Sequence, residues 1–256
     1  MTTSGATQKL YEYLTPPMRE HLEREGDLPV ADRKSLAVHL HQLLNAYVAY
    51  IPGRLVQHQL EEPEPGRVQG AFWHGSLLFA DLSGFTSLSA ELSVLGKQGA
   101  EEVSGVVNQL FNALVDEVLT HHGTLLKFGG DALTAFFDAE TLGDAHAHAA
   151  TLAALAMQQR MEAFSALKTR KGTFCLKLRV GVHSGQVFAA EVGDTSHIEL
   201  VVTGAEVNRV ATAQEIAAPG EVVISDYTAA LLEGAVLTPH KAGFQSITSR
   251  PTLEIP

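Results

Sequence analysis

The chain has one cysteine, one tryptophan and few aromatics of any kind, and Phe, Trp and Tyr together make up only 7% of its 256 residues. Cys175 alone excludes an internal disulfide and suits a reducing compartment, where it is expected as a small core residue of a strand. Charge of one sign is also scarce: Lys and Arg number 18 against 29 Asp and Glu, a net charge of −11. Duplex nucleic acid needs a basic face, so no nucleic-acid partner is expected. No apolar run reaches the length of a membrane span, and Met1-Thr-Thr-Ser-Gly-Ala6 lacks the basic and apolar regions of a secretory signal; a cytoplasmic location without a membrane segment is expected. Internal repeats and low-complexity tracts are absent. What remains is a 45% hydrophobic chain, long enough to bury a sizeable core.

Residues 1–70 differ in character from the rest of the chain. Lys9–Arg24 and Ala31–Tyr50 carry apolar residues at helical spacing, separated by Asp27-Leu-Pro29, and Glu61-Glu-Pro-Glu-Pro-Gly66 reads as a stiff acidic link. Residues 71–256 form the main domain. The expected order is a strand ending at Asp81, helices over Thr86–Val94 and Gly99–Thr120, and a hairpin over 123–137. A helix over Asp144–Leu167 comes next, then strands over 173–182, 185–191 and 196–203, a helix near Val207–Ala217 and a strand at Glu221–Ser225. Helices alternating with antiparallel hairpins predict an α/β (α+β) domain: a mixed sheet flanked by helices.

Two stretches concentrate the chemistry. In Phe79-Ala-Asp-Leu-Ser-Gly-Phe-Thr86 and Leu125-Leu-Lys-Phe-Gly-Gly-Asp-Ala-Leu133, an aspartate sits where an apolar strand meets a glycine-containing turn. Two strand-end carboxylates, Asp81 and Asp131, can meet at one sheet edge, where their repulsion favours a cation between them. Mg²⁺ suits this, since it is held by one or two carboxylates plus water and phosphate, and a pair of such ions serves phosphoryl displacement. Gly84 allows a close turn, and Phe85 and Thr86 open a helix whose free N–H groups suit a polyphosphate. Lys127 is a charge in an apolar hairpin, where burial requires an acceptor.

Simpler roles compete at each position: Asp81 and Asn208 as helix caps, Asp131 as a turn residue and Lys127 as an edge-strand side chain reaching solvent. Thr86 serves as N-cap and phosphate contact alike. His146 and His148 do not share a helix face, which argues against a metal site there.

These motifs, with Gly99-Ala-Glu-Glu102, Asn108-x-x-Phe111, Arg179-Val-Gly-Val-His-Ser-Gly-Gln-Val187 and Val202-Thr-Gly-Ala-Glu-Val-Asn-Arg-Val-Ala-Thr-Ala213, resemble in order the catalytic domain of class III nucleotidyl cyclases. The resemblance is nearest to the bicarbonate-responsive soluble adenylyl cyclase group. It implies the class III cyclase fold, a mostly antiparallel sheet built on a ferredoxin-like βαββαβ core. It further implies that Asp81 and Asp131, with the Leu82 carbonyl, hold two Mg²⁺ or Mn²⁺ ions, that Lys127 reads an adenine ring acceptor, that Gly84, Phe85 and Thr86 cradle the triphosphate, and that Asn208 orients the ribose. The implied reaction converts ATP to 3′,5′-cyclic AMP and pyrophosphate.

The resemblance also has gaps. Where family members that work alone carry a base-reading Thr or Asp and a transition-state Arg, this chain has Val201 and Thr212. Arg209 is a poor substitute, because neighbouring helical residues point about 100° apart. The arginine of the soluble group's anion pocket corresponds to Ala211, so bicarbonate regulation does not transfer. The chain is therefore expected to need a second cyclase domain, in a longer polypeptide or as a second copy; the alternative is a weak or inactive regulatory domain that binds nucleotide or a small anion. A diguanylate cyclase is disfavoured because Ala132-Leu133 follow Gly129-Gly-Asp131 in place of an acidic residue and an aromatic.

Overall fold

The structure is a computed structural model and describes residues 11, 13–48, 56, 68–194 and 197–247. The chain divides into two compact units, Met1–Ile51 and Pro52–Pro256. In the first, α1 (Pro16–Glu25) begins where Pro16 presets the helical φ and ends at Gly26, whose φ of 75° lets its N–H reach the Leu22 carbonyl. The expected start at Lys9 lies outside the described residues, as do Tyr50 and the acidic link over 61–66. Asp27 breaks the chain by accepting from the Leu28 N–H at 2.8 Å and pairing with Arg33, and α2 (Val30–Val48) follows.

The second unit is built on a sheet of strand order β2-β3-β1-β6-β8-β10-β9, with β7 paired to β6. Its strands are β1 (Gln69–Ser83), β2 (Thr124–Gly129), β3 (Ala132–Asp138), β6 (Lys177–Gly193), β7 (Ile198–Thr203), β8 (Val222–Ser225), β9 (Leu237–Pro239) and β10 (Phe244–Ile247); β4 (Leu167–Thr169) and β5 (Gly172–Phe174) form a separate hairpin. Every pairing in the main sheet is antiparallel except β6 with β8. The core order β2-β3-β1-β6, with helices connecting β1 to β2 and β3 to β6, is the expected βαββαβ arrangement.

Alternation sorts β1 between two cores. Leu78, Ala80 and Leu82 face α3 (Phe85–Ser93), α4 (Lys97–Thr120) and α6 (His146–Met161), where Leu110, Leu114 and Val118 recur every helical turn. Leu77 points the other way, toward Phe136, Val187 and Val210, the last on α7 (Ala205–Ile216). The alanines of α6 at 147, 149, 150, 153 and 154 are fully buried, because a helix without bulky side chains can lie close to both the sheet and α4. The short helices α5 (Ala139–Leu142) and α8 (Asp226–Ala229) complete the described elements.

Three expectations are corrected. The strands read over 173–182 and 185–191 join into one from Lys177 on, because β1 pairs with β6 without interruption from Gln69↔Glu191 to Ser83↔Lys177, and Ser184-Gly185 simply face Ser76 and Gly75; residues 173 and 174 belong instead to β5. The helix read to Leu167 stops at Met161, after which a 3₁₀ turn leads into β4. Cys175 is exposed in the connection before β6.

His146, weighed from sequence only as a metal ligand, begins a buried polar chain that crosses the sheet. His146 Nδ1, Ser76 Oγ, Ser184 Oγ and Thr228 Oγ1 follow one another at 2.8, 2.7 and 3.1 Å. Thr228 then meets Ser225 Oγ at 3.2 Å, and Ser225 meets His183 Nδ1 at 2.7 Å. His183 Nε2 contacts the Glu206 carboxylate. Burial pushes the His183 imidazole below its usual range, only partly offset by Glu206. A neutral His183 must donate from Nε2 to the acceptor-only carboxylate, so Nδ1 accepts from Ser225. Each hydroxyl has one proton, and the donors therefore run one way from His146 to Glu206.

Burial likewise lowers His146 and His148. Between a depressed folded value and the unfolded value near 6.5, the unfolded chain binds more protons, so stability rises with pH. The contribution is complete above about pH 6.5, declines below it and is lost as pH falls through the depressed folded values. Urea midpoints measured across this range should drop toward acid. His183→Leu, which leaves Glu206 and Ser225 without their partner, should cost about 1–3 kcal/mol at neutral pH and flatten the acid slope.

Candidate active site

Asp81 reaches its position because Leu77, Leu78 and Ala80 are buried and Phe79 partly so, in a strand hydrogen-bonded to β3 on one side and β6 on the other. Asp81 lies opposite Ala132, and the Leu82 N–H donates to the Asp131 carbonyl at 3.2 Å. Asp131 sits at the β2–β3 turn, reached through Gly130 at a φ of 69°. The two carboxylate-bearing residues thus meet at adjacent strand ends.

The strand runs on through Ser83, and the turn is made by Gly84 at a φ of 96°. A Cβ there would lie 2.8 Å from the Cys175 carbonyl, so glycine is required for both conformation and space. Gly84, rather than Thr86, is the N-cap of α3, and no side chain caps that helix end. Its first N–H groups, with exposed Thr86 beside them, are therefore available to an anion, while Phe85 packs against the main core.

Of the two readings of Lys127, the edge-strand side chain reaching solvent is the one found, not the buried charge. A register shift between Leu125 and Lys127 marks a bulge in β2, and Lys127 is exposed opposite Thr134, so it needs no buried acceptor. Thr134 also pairs with Phe79, which places Lys127 on the same face as Asp81. Neighbouring Phe128 and Phe111 of α4 pack edge to face, 4.9 Å between centroids.

Asn208 is the fourth residue of α7, whose N-cap is Gly204, so the capping role does not apply. Its side chain is exposed, as are Val201 on β7 and Thr212 one turn on, whose hydroxyl donates to the Asn208 carbonyl at 2.9 Å. Among the described residues no hydrogen bond joins the Asn208 side chain to Asp81 or Asp131. The one chain brings together Asp81, Leu82, Asp131 and the α3 N-terminus, and leaves Asn208 facing outward.

Two residues of the site escaped sequence reasoning. Arg179, opposite Asp81 in β6, donates from Nη2 to Asp81 Oδ2 at 2.6 Å, and Gln214 Nε2 of α7 approaches the same oxygen at 3.4 Å. The one charge within the apolar run Leu178–Val182 was the available signal. Gly181, next on the face of Arg179, lets α7 come close: a Cβ there would lie 2.5 Å from both the Gln214 nitrogen and the Val210 carbonyl oxygen.

Asp81, Asp131 and the Leu82 carbonyl form an all-oxygen donor set suited to a hard divalent cation. Among the described residues no group of three or more His, Cys, Asp or Glu side chains is arranged to hold a metal ion by itself. The Arg179 guanidinium paired with Asp81 offsets part of that carboxylate's charge.

Residues 71–252 match the family model of the adenylate and guanylate cyclase catalytic domain. Adenylate cyclase 1 of Rhizobium meliloti is 28% identical over 192 residues, 75% of this chain and 27% of that protein. Human adenylate cyclase type 10 is 28% identical over 181 residues, 69% of this chain and 11% of that protein. The chain thus spans about a quarter or less of these curated relatives. Among solved structures, the adenylyl cyclase CyaB from P. aeruginosa superposes with a TM-score of 0.60 at 24% identity, covering 73% of this chain and all of that one. The catalytic core of a rhodopsin-guanylyl cyclase with converted specificity, in complex with ATPαS, gives 0.56 at 22% identity, covering 71% of this chain and 99% of that one.

Gly181→Ala tests how α7 is seated. The added methyl must push the helix off the sheet, at a cost of about 1–3 kcal/mol. The thermal midpoint should fall by several degrees and amide exchange in α7 should rise, while the α6 amides keep their protection.

Proposed function

The chain belongs to the family of adenylate and guanylate cyclase catalytic domains, and from that premise we propose that it is the metal-holding half of an adenylate cyclase site, completed by a second cyclase domain. The observation that carries this reading is the meeting of Asp81 and Asp131 at adjacent strand ends beside the uncapped α3 N-terminus. Asp81, Asp131 and the Leu82 carbonyl hold the cations. Mg²⁺ or Mn²⁺, when bound, would lower the pKa of the ribose 3′-hydroxyl and neutralise the departing pyrophosphate. The N–H groups after Gly84 bind the phosphates from their free helix end, and exposed Thr86 lies beside them.

Lys127, on the same sheet face, is free to donate to a ring acceptor of adenine, and the two curated relatives, both named adenylate cyclases, support ATP over GTP. Asn208, outward on α7, orients a ribose bound across a domain interface. The transition-state positive charge comes from the partner, because Thr212 stands one helical turn after Asn208 where an arginine would supply it.

Thr212 and Val201 also favour a second reading, a regulatory domain that binds nucleotide or a small anion without turning it over. Cyclic AMP formation from ATP with Mn²⁺ separates the two. The chain alone should be close to background, and an added cyclase domain that carries the Asn and Arg should raise the rate by roughly three orders of magnitude, the usual worth of such an arginine. Asp81→Asn or Asp131→Asn should abolish the gain. Thr212→Arg should lift the chain's own activity at least tenfold at concentrations where it self-associates. No product under any of these conditions, with ATP still bound, would sink the enzyme reading.

A further inference from the structure

The polar chain through the sheet has a fixed proton count. Between His146 Nδ1 and His183 Nδ1 lie four hydroxyls, those of Ser76, Ser184, Thr228 and Ser225, joined by five contacts of 2.7–3.2 Å. Each hydroxyl brings one proton, and each contact needs one. One of the two imidazoles must therefore supply an Nδ1 proton and the other must not: with both protonated one hydroxyl loses its place, and with neither one contact has no donor. Water does not relax this count, since Ser76, Ser225 and Thr228 are fully buried and Ser184 is 4% exposed.

We propose that this row is a proton relay: it joins His146 and His183 into one titrating unit and delivers a proton taken up on the α6 side of the sheet to His183 on the α7 side. At neutral pH Glu206 holds the proton of His183 on Nε2, so His146 carries Nδ1–H. In acid, a proton from water adds to His146 Nε2, the Nδ1 proton passes to Ser76, each hydroxyl hands its own proton to the next, and Ser225 gives its proton to His183 Nδ1. Every hydroxyl loses one proton and gains one, His146 ends neutral with its proton on Nε2, and His183 becomes the imidazolium. What faces each end decides where the charge rests. His146 is faced by His74 of β1, an exposed ring packed edge-on at 5.4 Å, and by His148 of its own helix, which oppose a charge, and by Asp138 and Asp144, which favour one. His183 is in direct contact with the Glu206 carboxylate, which Arg209 approaches at 3.8 Å, and Tyr227 of α8 packs edge-on at 5.8 Å. The leading neighbour effect therefore opposes a charge at His146 and favours one at His183. Acid sensed on one face of the sheet thus places a positive charge against the first turn of α7 on the other, and the device needs neither metal nor nucleotide.

Long-range proton–nitrogen correlation spectra of the histidine rings read both tautomers in the full chain, with His146→Gln and His183→Gln identifying the two rings by the signals they remove. At mildly alkaline pH, above the ordinary histidine range, His146 should be Nδ1–H and His183 Nε2–H. On acidification His183 should become the imidazolium while His146 turns to Nε2–H and stays neutral, both with one midpoint. Ser184→Ala removes a central hydroxyl and with it the count; Nε2–H should then appear on His146 already at mildly alkaline pH, and its signals should no longer follow the titration of His183. Circular dichroism at each pH reports the folded fraction; where Ser184→Ala does not fold, Ser76→Ala makes the cut at the His146 end, and should acid unfold the chain first, the alkaline tautomers before and after the cut carry the test. Any other pair of tautomers in the wild-type chain at mildly alkaline pH, a separate midpoint for His146, or a coupling that survives the cut overturns the proposal.

Discussion

The pairing of β1 with β6 is the constraint on which the rest of the second unit depends. Fifteen consecutive residues of β1 face fifteen of β6 in one unbroken antiparallel register. That register puts Asp81 opposite Arg179, Phe79 opposite Gly181, Leu77 opposite His183 and Ser76 opposite Ser184. A slip of one residue would reverse the face of every side chain, taking the site carboxylate to the core and Leu82 to the surface. The site edge, the seat of α7 and the polar chain are three results of one alignment.

The two faces of that sheet are used differently. One is covered by α3, α4 and α6 and is almost wholly apolar. The other is covered only in part, by α7, and its remaining surface carries Asp81, exposed Lys127 and the exposed side of α7 with Asn208. A half-covered sheet face with chemistry on it is a reasonable place for a second domain to complete the site. On the proposed reading, that second domain would supply the positive charge that Thr212 lacks.

What could be read from sequence was what local chemistry dictates. Asp81, Gly84 and Asp131 sit in turn and strand-end patterns that glycine and apolar runs specify within a few residues, and their placement follows from such patterns, whereas the βαββαβ order was what the family resemblance implied. Arg179 and Gln214 are 98 and 133 residues from Asp81 along the chain, and only register and helix seating bring them to it. The expected break within β6 is absent because a partner strand of equal length pairs straight through Ser184-Gly185. Lys127 stayed open between burial and an exposed edge-strand position, because the bulge in β2 that leaves it exposed has no local signature in the sequence.

The row of hydroxyls between His146 and Glu206 has a polarity set at one end. Its bond dipoles add in one direction, from the first residue of α6 to the first turn of α7, where an anion also suits the free N–H groups of the helix. Glu206 has a side chain 30% exposed, so a group in contact with solvent fixes the orientation of protons that solvent never reaches. Were that carboxylate neutral, nothing at its end would forbid the reverse order, and the first imidazole, on the far side of the sheet, could carry its proton on the other nitrogen.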